Sequence, residues 1–189
     1  LRHEEPLSTL GIYTEEALKE LGRLLFDKHS EINDVVIVSL DRLARAVVRD
    51  VLATWRRLLN LPIRDLPVGE WPRYLTDETL VFIVATKSSI SHVMGDELSA
   101  VDGLKAGWLG PEPPSCLGMG MTSAGRFILP STDGQVAPER LYIGFHLLIA
   151  QAWSWYESKK SKLAKHHILG AAGAIDSVLN DENLLDGLR

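Results

Sequence analysis

Along residues 39 to 60, SLDRLARAVVRDVLATWRRLLN, the apolar positions Leu40, Leu43, Ala44, Val47, Val48, Val51, Leu52, Trp55, Leu58 and Leu59 recur at the spacing of one helical face. The stripe predicts a core helix that buries Val47, Val51 and Trp55. Just ahead of it, the β-branched run Val35 to Val38 has strand propensity, but it leads straight into the stripe and leaves no residues for a strand-to-helix connection. Ser30 as N-cap, with Glu31 and Asp34 in the first turn, therefore predicts one continuous helix over about 31 to 59, stopped by Pro62 and Pro67.

The same reading carries through the chain. Residues 1 to 13 hold no sustained period and read as an arm; Thr14 caps a helix that ends near Lys28. Thr76, Asp77 and Glu78 look like a helix start, so TLVFIVAT is assigned to a helix over 77 to 87, followed by a short one over Ile90 to Val101. Pro138 and Glu139 open the most hydrophobic helix, extended to about 165 and apolar on all sides in its first four turns; ILGAAGAIDSVLN closes the series. The expected fold is thus all-α: a single compact domain of about five to six helices over 14 to 189, with the arm in front. Should 35–38 and 79–86 be strands, the chain is α/β instead.

Between 102 and 137 seven glycines and four prolines erase any helical period, which predicts a long irregular loop, with GRFILP as a short strand. Its Trp108, Leu109, Phe127, Ile128 and Leu129 are too apolar for a solvated segment. Together with Trp71 in the other irregular stretch, Trp108 and Phe127 are the expected contacts to a partner, either a further copy of the chain or another subunit of a larger complex.

Composition narrows the chemistry. A chain of 189 residues and 20.9 kDa supports one well-buried core. With a formal net charge of −5 and a pI near 5.7, the chain as a whole is not a basic nucleic-acid binder, so an anion site must be a local patch. Cys116 stands alone and forms no intramolecular disulfide, which suits the cytoplasm or another reducing compartment. The opening LRHEEPL is not a secretory leader, and the apolar run 141 to 156 carries His146 and Gln151 and falls short of the roughly 20 residues a spanning helix needs, so membrane insertion is not expected.

The local patch is a ridge. At about 100° per residue, Arg42, Arg45, Arg49 and Arg56 fall within an arc of roughly 60° beside the apolar stripe. Their stems either cover apolar rim and pair with nearby acids, or their guanidinium forks grip phosphates. His92 and Asp96 share a helix face but lack a third ligand, so no metal is expected and no cofactor either. Cys116 matches no nucleophile motif, TKSS at 86 to 89 lacks the glycines of a phosphate loop, and Ser88, Ser89 and Ser91 near His92 lack a defined oxyanion site. With no catalytic constellation in view, the sequence leans away from an enzyme. It favours an assembly subunit packing through its arm and long loop, of nucleoprotein or coat type, with single-stranded nucleic acid held on the arginine ridge. The rival is a helical enzyme or ligand-binding domain in which the 102 to 137 segment is a lid.

Overall fold

In the computed structural model, residues 15–59, 61–66, 75–88, 105–113 and 124–158 are described. Helix α1 (Glu15–Phe26) is followed by strand β1 (Asp34–Ser39), helix α2 (Arg42–Leu58), strands β2 (Ile63–Leu66), β3 (Thr79–Val84), β4 (Lys105–Gly110) and β5 (Gly125–Ile128), and helix α3 (Pro138–Ser158). The five strands form one parallel sheet in the order β2-β1-β3-β4-β5. The all-helical expectation is overturned: the fold is α/β.

The error has a physical origin. Val35 to Val38 and Leu80 to Val84 are buried on both faces of a sheet interior, where strands read as unbroken apolar runs with no alternation to betray them. The continuous helix over 31 to 59 and the helix over 77 to 87 therefore both dissolve. The connection that seemed to be missing takes only Leu40 and Asp41, because Ser39 belongs to the strand and the helix starts at Arg42. Thr76 does not cap a helix; its carbonyl accepts from Thr79 N at 3.0 Å, closing a turn that launches β3. The segment expected to be a long loop contains β4, β5 and a tight turn at 132–135.

Some elements fall where the pattern placed them, while the short helix expected over Ile90 to Val101 lies outside the described residues. α1 and the start of α3 match, and α2 buries Val47, Val51 and Trp55 as its stripe requires, although Leu43 and Leu58 at its ends are exposed. α3 is more amphipathic than expected: Leu141, Phe145, Leu148 and Ala152 face the core while Tyr142 is exposed.

Side chains of all three helices share one core with Val35, Ile37, Leu80, Phe82, Val84, Leu109 and Phe127 on one face of the sheet. Trp55 is its centre, edge-on to Phe82 at 5.9 Å and to Phe145 at 5.2 Å between ring centroids. A second cluster, on the opposite face, gathers Val36, Val38, Leu40, Val81, Ile83, Ala106 and Trp108. Gly22 lets α1 and α3 touch, since a Cβ there would lie 2.4 Å from the carbonyl oxygen of Ala152. Among the described residues no helix is long and apolar enough to cross a membrane.

Candidate functional site

The strand order locates a crevice. From β1 the chain steps outward to β2, then returns to the other side of β1 to lay down β3, and continues in that direction through β4 and β5. The direction of strand addition thus reverses between β1 and β3, whose carboxyl ends lie side by side. Ligands in open α/β sheets sit at such reversals.

Polar groups converge there. Asp41 ends the β1–α2 turn in extended conformation and caps α2, its Oδ1 accepting from the backbone N–H of Ala44 at 2.9 Å. The same Oδ1 accepts from the Thr86 hydroxyl at 2.8 Å, and Oδ2 accepts from the Thr86 N–H at 2.7 Å. Thr86 lies just past β3 and is 1% exposed. Its carbonyl accepts from Val136 N at 2.8 Å, so the residue is held from two sides. Ser39, the last residue of β1, is 8% exposed and its hydroxyl has no hydrogen-bond partner.

The chain returning from β5 crosses this end of the sheet. Leu129 N donates to Gly110 O at 2.7 Å, and Thr132 and Gln135 bond each other across a turn whose Asp133 and Gly134 have φ of 52° and 70°. Gly134 is required twice over: its φ is positive, and a Cβ would lie 2.5 Å from Ser88 Oγ. Both the N–H and the hydroxyl of Ser88 donate to Gly134 O, at 3.0 and 3.3 Å, and Lys87 pairs with Gln135. Thr86, Lys87 and Ser88 are thereby fixed as a short polar rim, with Lys87 exposed and Ser88 half-buried.

The arginine ridge is divided by this arrangement. Arg56 donates from Nε and Nη2 to Ile63 O at 3.2 and 3.1 Å, and Arg45 Nε lies 3.7 Å from Asp65 Oδ2, so these two tie α2 to the edge strand β2. Arg49 is exposed partway along α2. Arg42, also exposed, opens α2 at the crevice end of the sheet. Trp108 is wholly buried, its Nε1 donating to Pro111 O at 2.7 Å, and Phe127 is 2% exposed; the apolar surface that seemed to want a partner is housed inside this chain. Trp71, Cys116, Ser89, Ser91, His92 and Asp96 lie outside the described residues, as do the arm and everything past 158. Among the described residues no three His, Cys, Asp or Glu side chains gather as metal ligands would.

No protein-family pattern and no curated protein matches the sequence. Solved structures do share the fold. One is a candidate sugar-phosphate isomerase from Listeria monocytogenes, 9% identical, with a TM-score of 0.54 over 80% of this chain and 85% of that one. Another is the Vibrio vulnificus NanR protein complexed with ManNAc-6P, 11% identical, TM-score 0.53, over 86% and 62% of the two chains. A third is a candidate phosphosugar isomerase from Bacillus subtilis, 12% identical, TM-score 0.55, over 87% and 52%. The chain thus spans most of the first protein and between half and two thirds of the other two. At these identities the likeness is one of fold. It removes the basis of the coat or nucleoprotein reading, which presupposed an all-helical chain with unhoused apolar side chains.

TKSS lacks the glycines of a phosphate loop, and the pairing of Asp41 with Thr86 leaves no local motif in the sequence. An available signal was a polar cluster directly following an apolar run, IVATKSS, which in a parallel sheet marks a carboxyl end.

Proposed function

We propose that this chain is a small-molecule-binding domain whose ligand is an anionic sugar of the phosphosugar class, seated beyond the carboxyl ends of β1 and β3. The observation that carries this reading is the rim of Thr86, Lys87 and Ser88 at the sheet's reversal, in a fold shared with proteins described as phosphosugar isomerases and with one complexed with ManNAc-6P. Hydroxyl and backbone donors suit sugar hydroxyls, and the exposed cations Lys87 and Arg42 at this end suit a phosphate.

The test is calorimetric titration with hexose and hexosamine 6-phosphates beside the same sugars without phosphate. Binding of the phosphorylated members alone, weakened about tenfold or more by Lys87→Ala or Ser88→Ala, is the expected result. Equal heats with and without phosphate, or none at all, would remove the reading. Proton NMR of a bound sugar phosphate over time distinguishes turnover from binding.

A further inference from the structure

We infer that Asp41 is a tethered anion occupying the anion position of its own crevice, and so decides which way round a ligand can bind. The inference rests on the crevice proposed above as the ligand site and names its specificity determinant. Three donors converge on this one carboxylate: the Ala44 N–H at the start of α2, the Thr86 N–H and the Thr86 hydroxyl, at 2.7 to 2.9 Å. Two backbone amides and a hydroxyl around one oxyanion, one of those amides at the positive end of a 17-residue helix, are the surroundings a phosphate would ask for. Here the chain supplies the anion itself.

A carboxylate in that place does two things. It consumes the donors, and its charge repels a second anion brought to the same point. The phosphate of a ligand is then confined to the side of the crevice bearing Lys87 and Ser88, with the sugar's hydroxyls toward Asp41. Sugars phosphorylated at one end are accepted; those carrying an anionic group at both ends are rejected.

Asp41→Ser tests this, because serine still caps α2 while withdrawing the charge and freeing the Thr86 donors. Asp41→Gly, which is tolerated at a helix N-cap and leaves the position empty, is the second variant should the first fold poorly. The probe is inorganic phosphate, followed by the amide resonance of Thr86. In the wild-type protein this resonance stays in place as phosphate is added; in either variant it moves, and phosphate binds roughly tenfold more tightly. Its movement in the wild type, or its failure to move in both variants, overturns the inference. A parallel titration with a hexose monophosphate and the matching bisphosphate separates it from the functional reading. Rejection of the bisphosphate that Asp41→Ser relieves supports the inference, whereas a monophosphate bound equally by wild type and variant alongside an unmoved Thr86 amide in the variant leaves the crevice a ligand site but ends the role of Asp41. If neither sugar phosphate binds to any of the proteins while inorganic phosphate enters the variants, the tethered anion stands and the phosphosugar reading falls.

Discussion

The two ends of the sheet are held together by different chemistry. At the amino end, long charged side chains do the work: Arg23 bridges Glu20 and Glu31 at 2.7 Å each, Lys105 joins Glu31 at 3.0 Å, and Arg64 pairs with Asp34. Arg23 and Glu31 are more than two fifths exposed. At the carboxyl end the connections are short: one carboxylate, two hydroxyls and several backbone groups. Exposed ion pairs need no preorganised backbone and give little stability per contact. Short groups bonding to backbone fix the path of the main chain to within a hydrogen bond's tolerance. The amino end is closed by neutralisation, and the carboxyl end is shaped. This difference is what the ligand site proposed at the carboxyl end requires.

Four variants probe that contrast in order of expected effect. Trp55 lies in the core beneath both ends, so Trp55→Ala sets the upper reference: a loss of about 3 to 5 kcal/mol by denaturant unfolding, felt equally at both ends. Next comes Gly110→Ala, whose added Cβ would lie 2.5 Å from Ala85 O and push apart the exits of β3 and β4. Overpacking of this kind costs about 1 to 3 kcal/mol. Amide exchange should quicken at Ala85 and Thr86 before it does at Asn33 or Thr79. A uniform increase would show that the ends are not separable.

Asp41→Ala removes the helix cap and both bonds to Thr86, a loss of about 1 to 2 kcal/mol, with Asp41→Ser recovering the part owed to capping. The smallest effect belongs to Glu31→Gln, despite the pairs it breaks, because solvent screens them. Its signature is in pH. The hydrogen bonds from Arg23, followed by a backbone N–H and Lys105, hold the Glu31 carboxyl well below the ordinary glutamate range. A depressed carboxylate contributes stability that is complete above the unfolded value and is lost as the pH falls through that range and below. Acid unfolding of the wild type should therefore be steeper there than that of Glu31→Gln, and the two should converge at low pH. His146 adds to the acid side from higher up, since burial lowers its pKa and the unfolded chain takes up the proton first. An Asp41→Ala variant less affected than Glu31→Gln would reverse the comparison between the two ends.

Much of the fold was legible wherever one face of an element meets solvent. The stripe Ala44, Val47, Val48, Val51, Leu52, Trp55 announces a helix and its buried face because the other side must stay polar. Pro138 and Glu139 mark the start of α3 by local backbone chemistry alone. Sequence also supplied the exclusion of an overall basic surface. Where an element is enclosed on all sides, that signal vanishes: Val35 to Val38 and Leu80 to Val84 have no solvent face, so their period is invisible and only the neighbouring strands decide that they are extended. The crevice belongs wholly to this second kind. Asp41 and Thr86 stand 45 residues apart and meet because β1 and β3 lie side by side in register, Ser39 beside Val84. Periodicity reports how each segment relates to solvent, but hydrogen bonding between strands distant in the chain is settled only when the sheet assembles.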